Sequence, residues 1–135
     1  MGYAGDLTPR EAFDLVRDTP DAVLVDVRTD AEWRFVGVPD TSGTGREPVL
    51  VSWLPVDPPR FLAELAAAGI TPGAGAPVVF LCRSGQRSVG AAEAATAAGI
   101  APSYNVLEGF EGPLDDAGHR GAVGWRAAGL PWRQS

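Results

Sequence analysis

The sequence predicts an α/β protein, a parallel sheet flanked by helices on both faces, and three observations predict it. Continuous apolar runs at residues 22–27, 49–53, 78–81 and 104–107 fit strands buried on both faces. Helical segments alternate with these runs, the order expected of a parallel sheet with helical crossovers. The third run ends on the only cysteine, Cys82, and opens a tight polar loop followed by a small-residue helix. A buried strand that feeds a loop and then a helix gathers backbone N–H groups around one point, and the helix dipole adds partial positive charge there.

Each element has a local reason. Thr8, Pro9 and Glu11 make a helix start, with Thr8 as cap, Pro9 at the first helical position and Glu11 closing a capping box. Ala12, Phe13, Leu15 and Val16 supply its apolar side, and Pro20 limits its length. After the 22–27 strand, a short helix over residues 30–35 is expected with Asp30 as its cap. Residues 37–48, rich in Gly, Pro, Ser and Thr, read as a loop. An alanine-rich helix follows the 49–53 strand over residues 60–68, turning Phe61, Leu62 and Leu65 inward, with Gly69 closing it. The helix after the cysteine loop is expected over 89–98, ended by Gly99. Residues 108–121 read as a second loop, 122–128 as a short closing helix, and Leu130 and Trp132 as packing residues behind it.

The chain has 135 residues and a formal net charge of −6, enough length for one domain over 1–135 with a single core. No apolar run approaches a membrane span, and the first residues lack the basic-then-apolar pattern of a secretory signal. All eleven basic residues are arginine, so lysine Schiff-base chemistry is excluded. Net acidity without a basic stripe argues against nucleic-acid or anionic-membrane partners. A single cysteine excludes an internal disulfide and a multi-cysteine metal site, and its default setting is the reducing cytoplasm.

Cys82 stands at the carboxyl end of a parallel strand, where ligands of such folds bind. A thiol there ionises more readily than a free one, whose pKa is about 8.5. It is expected at the mouth of the domain, reachable from solvent. Arg83 and Arg87 place two cations beside it, suited to steering an anion and favouring the thiolate, with Arg87 better placed at the helix start. Ser84 and Ser88 offer hydroxyls, Gln86 completes the loop, and Gly85 permits a positive φ. His119 is the only histidine, so a Cys–His dyad would have to use it, although its setting reads as an exposed loop. Asp26, Arg28 and Glu32 stand near the neighbouring strand end as support, with an Arg28–Glu32 ion pair as the simplest local arrangement.

These residues carry a resemblance. Asp26-Val27-Arg28 followed by Glu32-Trp33, the loop Cys82-Arg83-Ser84-Gly85-Gln86-Arg87-Ser88, then Val106-Leu107-Glu108-Gly109, and finally Trp125-Arg126-Ala127-Ala128-Gly129-Leu130-Pro131 occur in the order of the single-domain rhodaneses. The chain resembles that sulfurtransferase family over nearly its whole length. The resemblance implies a five-stranded parallel sheet and a Cys82 persulfide. Sulfane sulfur would pass from a small anionic donor such as thiosulfate to a thiol or cyanide, with no metal or organic cofactor. It also allows a protein sulfur donor or acceptor. Two stretches depart from the family: Gly37-Val38-Pro39-Asp40-Thr41 lacks the usual histidine, and Phe110 replaces the second glycine after Glu108.

Two other readings compete. A cysteine phosphatase or arsenate reductase on the same architecture has five residues between cysteine and arginine; here four separate Cys82 from Arg87, a narrower cradle. A persulfide carrier or regulatory module would keep the loop and dock a partner through residues 37–48 and 108–121.

Overall fold

The computed structural model describes residues 2–134. Met1 and Ser135, the two ends of the stretch expected as one domain, lie outside the described residues. Five strands form the main sheet: β1 (Gly5–Leu7), β2 (Val23–Asp26), β4 (Val49–Leu50), β5 (Val78–Leu81) and β6 (Ser103–Val106). Their spatial order is β1-β6-β5-β2-β4, and every neighbouring pair is parallel. From β2 the chain steps outward to β4, then returns on the other side of β2 to form β5. The order therefore reverses between β2 and β5, the point at which such sheets bind ligands outside the carboxyl ends of their strands. Both Cys82 and the Asp26–Arg28 segment stand at those strand ends.

The helices are α1 (Pro9–Asp18), α2 (Asp30–Phe35), α3 (Pro58–Ala67) and α4 (Arg87–Ala97). Side chains alternate along the strands, so each strand feeds two cores. Val23, Val25, Val78 and Phe80 pack with Phe61 and Leu65 of α3 and Ala91, Ala92 and Ala95 of α4. Leu24, Val79, Leu81 and Val106 pack on the opposite face with Ala12 and Val16 of α1 and with Phe110, Trp125 and Leu130. Helices on both faces are what the unbroken apolar runs required.

Several boundaries differ from the sequence reading. The capping box at Thr8 and Glu11 is present, and α1 ends at Asp18, ahead of Pro20. The cap of α2 is Thr29, not Asp30: Thr29 accepts from the Glu32 N–H while the Glu32 side chain accepts from the Thr29 N–H. Asp57 caps α3, which starts two residues earlier than expected. Strand β1 is too short to show a period, and its pairing with β6 forms it. A small antiparallel pair, β3 (Val38–Pro39) with β7 (Trp132–Arg133), ties the 37–48 loop to the carboxyl end of the chain. The 22–27 run forms a strand over Val23–Asp26 and the 49–53 run only over Val49–Leu50, although the Val51 and Trp53 N–H groups still bond to Asp26 and Val27.

The closing helix expected over 122–128 does not form; the segment is a series of turns. Its N–H groups are used across the chain, with Trp125 bonding to the Gly109 carbonyl and Arg126 to that of Phe110. Gly124, at φ +107, lies against the backbone of residues 111 and 112, where a side chain would collide. Tertiary hydrogen bonds have replaced the helical ladder. No helix of the described residues is long and apolar enough to cross a membrane.

Candidate active site

Cys82 follows β5 directly, and its side chain continues the inward face of Val78 and Phe80. The sulfur accepts the Gly85 N–H at 3.1 Å, which bends the loop back over the strand end. Gly85 has φ +94, and a Cβ there would stand 3.0 Å from the Glu108 nitrogen, so only glycine fits this turn without a shift. The Ser88 Oγ lies 3.2 Å from the same sulfur, from the second residue of α4. Side chains cap α1, α2 and α3, but none caps α4, whose first N–H groups face the cysteine loop.

The sulfur is not at the open mouth that the sequence led one to expect. Cys82 is 1 % exposed. Its side chain packs in the core on the α3 and α4 side of the sheet, with Val27, Trp53, Ala91 and Ala92. The Phe110 N–H bonds to the Cys82 carbonyl at 2.8 Å, and the Glu111 and Gly112 N–H groups bond to that of Arg83. Gly109, at φ +62, presses so closely on Cys82 and Arg83 that a side chain would run into their carbonyls. Residues 109–112 are thus fastened to the backbone of Cys82 and Arg83, a long-range contact that local pattern could not disclose.

Arg87 and Glu32 form a bidentate pair at 2.8 and 2.9 Å. Burial pushes the Glu32 carboxyl up, but the Arg87 hydrogen bond, the Thr29 N–H and the Arg87 charge outweigh it and hold the group at about 2. In return Glu32 raises the Arg87 guanidinium, burial opposes that rise, and the nearby charges of Cys82 and Asp26 add to it. Arg87 is therefore a fixed cation beside the sulfur, its side chain still 32 % exposed.

The expected Arg28–Glu32 ion pair is absent. Arg28 turns back two residues and bonds to both oxygens of Asp26 at 2.9 and 2.7 Å, and Nη2 also bonds to the Gly37 carbonyl. Both members of this pair are fully buried, and the Arg28 guanidinium lies 4.3 Å from the centre of the Phe110 ring. Phe110, which stands where the family pattern has glycine, is a platform for that cation. Arg83 and Gln86 are exposed, and Arg83 makes no ion pair among the described residues. Ser84 is half-buried. His119 is exposed in the 108–121 loop, where its backbone bonds to Asp115, and no hydrogen bond joins it to Cys82. Among the described residues no group of three or more His, Cys, Asp or Glu could hold a metal ion.

Asn105 and Asp6 were not foreseen. Asn105 is 1 % exposed on β6, bonded to Ser88 on one side and to Asp6 on the other. The only signal in the sequence is a lone amide inside an apolar strand run.

A parallel sheet whose switch point holds a cysteine loop and a helix start is the architecture of rhodanese-like domains, and comparisons with known proteins assign the chain to that class. A family model described as the STR4 middle domain matches residues 5–135. The chain belongs to this rhodanese-like family. It is 37% identical over 123 residues to a Rickettsia rickettsii protein described as an uncharacterized RP600 homolog, covering 91% of this chain and 92% of that one. It is 28% identical to the rhodanese-like domain-containing protein 4 of Arabidopsis thaliana, covering 91% of this chain and 24% of that one. Among solved structures, Rv0390 of M. tuberculosis superposes with a TM-score of 0.88 at 62% identity, covering 98% of this chain and 99% of that one. The polysulfide-sulfur transferase homodimer of Wolinella succinogenes superposes with a TM-score of 0.63 at 26% identity, covering 95% and 77%.

Proposed function

We propose that the protein is a sulfurtransferase in which Cys82 carries sulfane sulfur from an anionic donor such as thiosulfate to a thiol or cyanide. One observation carries this reading: the Cys82 sulfur sits at the switch point of the sheet, addressed by the Gly85 N–H at 3.1 Å and flanked by the Arg87 cation. The likeness to a polysulfide-sulfur transferase supports it.

In the first half-reaction the Cys82 thiolate attacks the outer sulfur of thiosulfate. An S–S bond forms, the bond to the sulfite sulfur breaks, and sulfite leaves with the electron pair. In the second, an acceptor thiolate or cyanide takes the terminal sulfur and the Cys82 thiolate is regenerated. Electrons balance between donor and acceptor, so no outside oxidant is needed. The Gly85 N–H and the uncapped start of α4 offer hydrogen bonds to a terminal persulfide anion. Arg83 meets the donor at the exposed rim, with Ser84 and Gln86 beside it, and Arg87 orients the donor from within.

Intact-protein mass spectrometry after incubation with thiosulfate tests this. The native chain is expected to gain one sulfur and lose it to cyanide, and Cys82→Ser to gain none. A native chain that takes up no sulfur, or a serine variant that does, overturns the reading. The 1 % exposure of Cys82 favours one second reading, a carrier loaded by a protein donor whose contact opens the cysteine loop. That carrier would load from a persulfidated protein while ignoring thiosulfate.

A further inference from the structure

The Ser88 hydroxyl is close to two groups and has one proton to give. Its oxygen is 3.2 Å from the Cys82 sulfur and also in short contact with Oδ1 of Asn105. The choice between them is made farther away. The other end of the Asn105 amide lies 3.0 Å from Oδ1 of Asp6, which also accepts from the Tyr3 hydroxyl at 2.9 Å. A carboxylate only accepts, so the Asn105 nitrogen faces Asp6 and its oxygen faces Ser88. That oxygen accepts too, and the Ser88 proton is committed to it. Ser88 therefore shows the sulfur its lone pairs, an arrangement that receives a thiol S–H and opposes a thiolate.

We propose that Asn105, fixed by Asp6, is a positioning residue for Cys82. It holds the Ser88 proton away from the sulfur in the thiol state. When Cys82 ionises, the hydroxyl rotates to donate to sulfur at the cost of its bond to Asn105. The proton leaving Cys82 goes to solvent, and no covalent bond of Ser88 changes. The charged group nearest the sulfur from another element is Arg87 on α4, with Glu32 of α2 behind it; the Asp26–Arg28 pair at the end of β2 acts on Arg87 through the Asp26 charge. Arg83 lies in the loop itself. All of these stay constant in the comparison below.

The inference takes Cys82 as the reacting sulfur and in that sense rests on the proposed function. Its test reads only the hydrogen-bond chain and gives its answer whether or not sulfur is transferred. The thiolate ultraviolet absorbance of the sole cysteine is followed with pH, each variant being read against its own Cys82→Ser counterpart. Asp6 is exposed, and Asp6→Ala frees the Asn105 amide to turn its nitrogen toward Ser88. The Ser88 proton then becomes available to sulfur. On the rising limb of the titration the thiolate fraction is expected to increase about tenfold, the scale of one hydrogen bond to a charged acceptor. Asn105→Leu, which removes the competing acceptor, gives the same rise. In a Ser88→Ala background neither substitution changes the titration. Loss of the Asp6 charge acting through space would raise the thiolate fraction equally with or without Ser88, and that outcome overturns the proposal. So does an unchanged titration in Asp6→Ala.

Discussion

Glu32 serves two arrangements with one carboxylate: Oε1 accepts from the Thr29 N–H that starts α2, and both oxygens hold Arg87. Its folded value of about 2 lies below the ordinary value of 4.5, so its contribution to stability is complete above about pH 4.5. That contribution is lost as pH falls from there through about 2. Glu32→Gln is expected to be less stable at neutral pH and to lose less on acidification across this window, as measured by urea midpoints at a series of pH values. Parallel curves for the two proteins would remove Glu32 from the account of acid stability. Arg87→Ala leaves that carboxylate half-buried and takes the fixed cation from the sulfur. For thiosulfate, KM is expected to rise about tenfold, the worth of one charge-assisted contact, with a smaller change in kcat. An unchanged KM would mean that Arg87 only braces α2 against α4.

At the scale of the element, α4 packs through small residues so that the sheet and Trp53 can approach it closely. A Cβ on Gly90 would stand 2.9 Å from Nε1 and 3.3 Å from Cε2 of Trp53. Trp53 is itself wedged edge-on against Phe61 with ring centres 5.0 Å apart, so it has little room to yield. Helix propensity favours alanine over glycine by about 1 kcal/mol, but overpacking of a tight contact costs about 1–3 kcal/mol. Gly90→Ala is therefore expected to lower stability by about 1 kcal/mol in chemical denaturation, against the direction propensity alone would give. A stabilised variant would show that Trp53 moves freely. Of the four helix starts only that of α1, with Thr8 and Glu11, was read correctly from the sequence; Thr29 with Glu32, and Asp57, also lie within one turn of what they cap, yet α3 was expected to start two residues later than it does. For α2 the sequence reading chose the carboxylate next to the true cap.

Across the whole molecule, the carboxyl-terminal turns close over the segment that is bonded to the backbone of the cysteine loop. Trp125 is fully buried, bonds through Nε1 to the Pro131 carbonyl at 2.7 Å and meets Phe13 of α1 edge-on at 5.9 Å. Its N–H bonds to the Gly109 carbonyl at 2.8 Å, in the segment bonded to the Cys82 and Arg83 carbonyls. Trp125→Ala is expected to cost about 3–5 kcal/mol of stability and to speed alkylation of Cys82, because the 108–112 segment loses its backing. Destabilisation without faster alkylation would mean that the cysteine loop keeps its conformation without this backing.

The apolar runs and the placement of Cys82 at a strand end by themselves determined the parallel α/β architecture and singled out the loop from Cys82 to Ser88. Such features are local: the backbone period and caps act within a few residues, so the chain states them openly. What only the tertiary structure decided is who faces whom. Glu32 meets Arg87 across 55 positions and Asn105 meets Asp6 across 99, because the strand order brings those ends to one edge of the sheet. Arg28 turned to Asp26 once burial left it without water, and a buried guanidinium needs a fixed carboxylate. The same long-range closure fastened residues 110–112 to the backbone of Cys82 and Arg83 and took the Trp125 and Arg126 N–H groups for tertiary bonds in place of a helix.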